Sequence, residues 1–265
     1  MKAKTNPIPR SLKLAVRPDK AQAQYIPVHW CVDEQSWQGI IYVSVPISYG
    51  DDRPIIAEIC AANHLMDATR PIFGNTRAPA SAKVTMTCGA IKKLFRQETQ
   101  KTTLIPFGRA LIFSFAESGI HITKDIQWTE TLPVNVEFRI EARHTDWEQA
   151  FAECLKQKVG ISRHAVERFQ ERIGAKSFYK AVTSIQRMLA SGETSPIRVS
   201  ERKRQAAMEK HGKEAILLKH HATKTVFVIT REEENALSLV SVYCDDVLKK
   251  EPVMVYGRIE MRWPT

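Results

Sequence analysis

Alternation of apolar and polar residues with period two marks strands along this chain, and a period near 3.6 marks helices. Residues 28–33, Val-His-Trp-Cys-Val-Asp, read as a strand, and residues 39–47, rich in β-branched side chains and Tyr42, as a second. Pro54 suits a first helical turn, and residues 55–68 carry helical periodicity. A Pro/Gly/Asn loop covers 71–81, followed by a short strand at 83–87 and a helix at 88–97 with Ile91, Leu94 and Phe95 on one side. The apolar runs 110–115 and 134–140 read as further strands, and 144–158 as a helix.

The pattern then changes. Two amphipathic helices are expected at 162–173 and 177–191, followed by strands at 197–200, 215–219, 225–230 and 237–243. The last two form a hairpin around Glu232-Glu233-Glu234-Asn235, and one more strand is expected at 253–259. Between the first two strands, residues 201–213 are basic and polar and read as a helix or a loop. No internal repeat is present. The order of elements predicts an α/β unit with a mixed sheet over 25–158 and an α+β unit of two helices and a four-stranded antiparallel sheet over 159–265. Residues 1–24 are polar and basic, carry three prolines, and read as a flexible arm.

Composition narrows the function classes. The 265 residues are 43% apolar, enough for real cores, and no apolar run approaches the ~18 residues of a membrane span. No signal peptide is visible, so a cytoplasmic location is expected. The five cysteines are scattered and form neither a disulfide framework nor a zinc motif, and no cofactor is expected. The net charge is +10, from 20 Lys+Arg against 16 Asp+Glu up to Lys158 and 19 against 13 beyond it. The denser positive charge of the second part favours a polyanionic partner, most simply nucleic acid, and the chemistry below favours RNA. Lys203, Arg204, Lys210 and Lys219 are the expected backbone contacts.

Candidate chemistry concentrates in residues 161–174. On a helix capped by Ser162, His164, Arg168 and Arg172 are spaced i, i+4, i+8 and share one face, beside an apolar stripe of Ala165, Val166, Phe169 and Ile173. An imidazole moves protons near neutral pH and guanidiniums hold anionic oxygens. RNA is cut without metal when its 2′-hydroxyl attacks the adjacent phosphate, which needs a base, charge stabilisation and an acid. His164 is the candidate for proton transfer and Arg168 and Arg172 for the phosphate grip. Arg231, at a strand end, and the hydroxyl of Tyr243 complete the candidate set. A solvated, salt-bridged helix face is the competing reading.

Two resemblances sharpen these expectations. Residues 83–94, residues 55–65 with Glu58, and residues 136–148 with His144-Thr145-Asp146-Trp147-Glu148 resemble three segments of ribonuclease H-like proteins: a strand-to-helix turn, the first helix with its catalytic glutamate, and the last strand with the entry to the final helix. That chemistry uses about four carboxylates around two metal ions. Asp33 and Glu58 stand at two of the positions. Cys88 or Gly89 replaces the strand-end aspartate, and the final-helix aspartate falls at Phe151, two residues before Glu153. The resemblance therefore implies a degenerate, inactive copy, with Asp33 and Glu58 as the only metal candidates.

The second resemblance covers about 160–245. His164-Ala165-Val166-Glu167-Arg168-Phe169-Gln170-Glu171-Arg172, with the strands at 226–231 and 240–243, resembles small RelE-type and related metal-independent ribonuclease toxins. It implies a nucleic-acid-binding protein with a metal-independent endoribonuclease site in the second unit. The alternative is a non-catalytic nucleic-acid-binding or adaptor protein built from two inactive nuclease-like domains. A third reading is an inhibitor-like protein with a protein partner.

Overall fold

A computed structural model describes residues 11–20, 23–33, 37–67, 72–96, 98–131, 136–197, 215–231 and 236–244, and the backbone of two short strands at 253–255 and 258–260. The chain divides into two units, Met1–Asp146 and Trp147–Thr265.

The first unit begins with β1 (Ser11–Val16), β2 (Tyr25–Val32) and β3 (Trp37–Ser44), followed by α1 (Arg53–Leu65). Then come β4 (Lys83–Met86), α2 (Gly89–Phe95), α3 (Ile105–Ser114), β5 (His121–Ile122) and β6 (Glu137–Glu141). The sheet order is β5-β4-β1-β2-β3-β6. β1, β2 and β3 form an antiparallel meander, β4 lies parallel to β1, β5 to β4 and β6 to β3. One sheet face carries Leu12, Leu14, Ile26, Val28, Trp30, Ile41 and Val43, all essentially inaccessible to water. The buried side of α1, including Ile56 and Ile59, packs on β1, β2 and β3.

Two expectations fail in this unit. The stretch assigned to a flexible arm contains β1, which sits between β2 and β4 and is a central strand. Leu12, Leu14 and Val16 alternate with exposed or half-buried neighbours only in part, because Ala15 is buried as well. The run 110–115, read as a strand, is the second half of α3. An apolar run such as Leu111-Ile112-Phe113 suits either structure, and Pro106 in the first turn of α3 decides it. Close approach of α2 and α3 depends on Gly108, where a Cβ would lie 2.4 Å from Cδ2 of Leu94.

Gly39 in β3 is a tighter constraint. A Cβ there would stand 2.2 Å from the carbonyl oxygen of Val136, which accepts a 2.9 Å hydrogen bond from Ile40 N at the β3–β6 seam. Backbone cannot rotate away as a side chain would. Gly39→Ala is expected to destabilise the first unit by about 1–3 kcal/mol. An unfolding midpoint equal to wild type would show that the β3–β6 seam is not held there.

The second unit is built on a sheet of order β7-β8-β12-β11-β10-β9. Its strands are β7 (Gln149–Ala152), β8 (Gln157–Ile161), β9 (Thr194–Pro196), β10 (Ala215–His220), β11 (Thr225–Arg231) and β12 (Leu237–Cys244). Helices α4 (Arg163–Ile173) and α5 (Phe178–Leu189) connect β8 to β9. β9 to β12 are antiparallel in sequence order, and β8 lies parallel to β12. The expected four antiparallel strands are therefore extended by a β7–β8 hairpin.

That hairpin replaces the helix expected at 144–158 and moves the boundary between units from 158 back to 146. Ala150 and Ala152 are buried on β7 while Phe151 between them is 45% exposed, a period of two. Lys156 takes the left-handed conformation, φ 52°, that closes the turn. Phe151 and Glu153 accordingly belong to this hairpin and not to a final helix of the first unit. The expected strand at 197–200 is represented by β9, just upstream, and residues 198–200 lie outside the described residues. In place of one strand at 253–259 there is a short antiparallel pair, β13 (Val253–Val255) and β14 (Arg258–Glu260).

Candidate functional site

Local rules fix α4 at both ends. Ser162 is extended and its hydroxyl accepts from Ala165 N at 3.2 Å, the geometry of an N-cap. Gly174 closes the helix in the left-handed region, φ 78°, with its N–H on Gln170 O at 2.9 Å. Ala165, Val166 and Phe169 are buried, which turns the His164–Arg168–Arg172 stripe away from the core.

Along that stripe His164 is exposed, and Arg168 Nε donates to His164 Nε2 over a long 3.4 Å contact. A guanidinium has only donors, so Nε2 carries its lone pair in this arrangement. Arg168 Nη1 also pairs with Glu171 Oε2 at 2.8 Å. Arg163 makes a separate 2.7 Å pair with Glu167. Arg172 is half-buried, and Nη1 donates to the carbonyl of Val242 at 2.5 Å. β8 pairs with β12 only over Leu237–Leu239, and Arg172 reaches the stretch beyond. Burial, then the neighbouring Arg168 charge, lowers its pKa, and Tyr243 and Cys244 are close enough to act on it in the other direction. His164, Arg168 and Arg172 thus form one line along α4, and its last member reaches the β12 backbone next to Tyr243.

Arg231 stands apart from Tyr243 along the sheet. Val226 is opposite Tyr243, whereas Arg231 is opposite Leu237. Five residues along β11 separate the two rows, roughly 17 Å at ~3.3 Å per residue. Arg231 lies at the end of the sheet from which α4 departs, where Ser162 N donates to Leu239 O. Lys219 is on β10 opposite Val226, in the same cross-strand row as Tyr243. Lys203, Arg204 and Lys210 lie outside the described residues. Sequence reading missed Ser195, whose hydroxyl sits 2.8 Å from His221 Nε2. Nothing in the local sequence signals that pairing, because it depends on the β9–β10 register.

The metal alternative in the first unit fails on geometry. Asp33, at φ 44°, accepts from Ser11 N at 2.8 Å at the start of β1. Ser11 is opposite Lys83, the first residue of β4. Glu58 accepts from Thr87 N at 2.6 Å and from Thr87 Oγ1 at 3.0–3.1 Å just past the other end of β4. The two carboxylates are therefore separated by the length of the strand, roughly 13 Å at ~3.3 Å per residue. Among the described residues no three His, Cys, Asp or Glu side chains gather as a metal-ligand group. Glu58 is fully buried, and that burial raises its pKa to about 7 against the opposing pull of the Thr87 and Cys88 donors. It serves the β4–α2 turn.

Among the described residues no helix is long and apolar enough to cross a membrane. In comparisons with known proteins, no family model, curated protein or solved structure matches this chain.

Proposed function

We propose that the second unit binds RNA along the exposed face of α4 and cleaves it without a metal ion. The observation that carries this reading is the alignment of His164, Arg168 and Arg172, with Arg168 Nε directed at His164 Nε2. When Arg168 turns from His164 to a bound phosphate, the Nε2 lone pair that it leaves takes the proton of a 2′-hydroxyl. Arg168 and the free edge of Arg172 hold the phosphate as negative charge builds on it. Tyr243, beside Arg172, delivers a proton to the departing 5′-oxygen. The first unit acts as a nuclease-like scaffold without its own chemistry. What supports that part is its strand order, a β1–β3 meander with β4 and β5 added parallel to β1, as in ribonuclease H-like sheets; β6 lies outside that pattern.

The test is incubation with a mixed RNA in excess chelator, read by gel. Chelator-resistant cleavage supports the reading, and salt-sensitive retention without any cleavage replaces it with the non-catalytic binding reading. One observation favours that second reading: the Nε2 lone pair of His164 already accepts from Arg168 Nε. Arg231→Ala is expected to leave RNA affinity and turnover within about twofold of wild type, as for an exposed substitution outside a site. A loss as large as that of Arg168→Ala would place Arg231 in the same site after all.

A further inference from the structure

We infer that the second unit holds a second phosphate position at the β9–β10 corner, formed by Ser195, Lys219 and His221. The inference rests on the reading of this unit as an RNA-binding domain and adds a position at the β9 edge of its sheet.

Residues directly opposite one another on neighbouring strands project to the same face. Ser195 is opposite Lys219, Lys219 opposite Val226, and Val226 opposite Tyr243. Ser195, Lys219 and Tyr243 therefore share one face and one row across four strands. The paired residues of the other face, such as Leu218 with Phe227 and Phe227 with Val242, are apolar and fully buried. On the Ser195–Tyr243 side the polar residues stand at the two ends of the row, with the fully buried Val226 between Lys219 and Tyr243. The row spans three strand spacings, roughly 14 Å at ~4.8 Å each. At its β12 end Tyr243 follows Val242, whose backbone carbonyl accepts from Arg172.

The β9–β10 end is equipped for an anion. Ser195 Oγ and His221 Nε2 are 2.8 Å apart. His221 is held at the turn by its backbone N–H on Glu193 O at 2.9 Å, which fixes where its ring stands. Whichever of the two donates to the other, the pair keeps one O–H or N–H available for an anion. Lys219 supplies a formal positive charge on the same face. Hydroxyl, imidazole and ammonium are a set that suits a tetrahedral oxyanion, and the RNA backbone is a repeated series of them. Val226 separates the corner from Tyr243, so the corner takes a phosphate of its own and adds affinity for RNA without taking part in bond cleavage.

The full-length, ¹⁵N-labelled protein allows the corner and the α4 site to be read separately, through the ring resonances of its eight histidines. His221→Gln and His164→Gln assign the two relevant signals. The probes are inorganic phosphate and an oligouridylate lacking terminal phosphates. The expected result is a saturable shift of the His221 ring with both probes, with Lys219→Gln weakening the effect by about tenfold, the size of a charge-assisted hydrogen bond. A stationary His221 with both probes, or a shift indifferent to Lys219→Gln, overturns the inference. A response to inorganic phosphate alone overturns the assignment of the position to nucleic acid. If only His164 responds, the α4 site stands and the corner falls; if only His221 responds, the reverse holds.

Discussion

His164→Ala is expected to reduce the rate of chelator-resistant RNA cleavage by about 10²–10⁴-fold, the usual contribution of a positioned general base or acid. RNA affinity should change by less than about twofold, because a neutral imidazole adds little to phosphate binding. The separation of the two readouts is clean for a structural reason. His164 is exposed, and α4 is held by its Ser162 cap and the buried Phe169, neither of which the substitution touches. Arg168→Ala should lower both cleavage and affinity, since it removes a phosphate-binding charge. Equal cleavage by wild type and His164→Ala would remove His164 from the chemistry, whatever the binding result.

Glu58→Gln should abolish most of the pH dependence of the first unit's stability between pH 4.5 and 7. Burial of the side chain raises its folded pKa from 4.5 to about 7. Below pH 4.5 the carboxyl is protonated in folded and unfolded chains alike. Between 4.5 and 7 the unfolded chain gives up the proton and the folded one keeps it, so stability falls as pH rises and levels off above 7. The full drop is on the order of 3 kcal/mol from the linkage of ~1.4 kcal/mol per pH unit. Glutamine keeps an oxygen for Thr87 N and has no proton to lose. The variant should therefore unfold at a higher temperature than wild type at pH 8 and lose that advantage toward pH 5. Parallel behaviour of the two proteins across this range would mean that Glu58 does not govern it.

Much of the helical framework was legible because it rests on local signals. Pro54, Ser162, Ser177 and Gly174 stand where helices start or stop, and the apolar periodicity between them does the rest. The misses share a different cause. β1 is short and surrounded by prolines and cations, and its role comes from partners β2 and β4 that are distant in sequence. The β7–β8 hairpin joins the second sheet through β12, nearly eighty residues later in the chain. The same logic divides the site. His164, Arg168 and Arg172 share a face because helical spacing alone puts them there. Whether Arg231, Tyr243, Lys219 or Ser195 can join them depends on strand register, which local sequence does not carry. Asp33 and Glu58 likewise stand at opposite ends of β4, a separation that the spacing of residues in sequence does not carry.

Arg172 on the carbonyl of Val242 also has a meaning apart from any ligand. Beyond Leu239, β12 has no strand on its β8 side among the described residues, and its backbone there could template pairing with another molecule. The guanidinium occupies that position with a charge and a hydrogen bond, so it works as a guard against edge-to-edge association. Arg172→Ala should then make the protein associate in a concentration-dependent way in sedimentation velocity, with added β-structure, while Arg168→Ala stays as dispersed as wild type. An Arg172→Ala protein that sediments like wild type at every concentration would show that the edge is protected by other means.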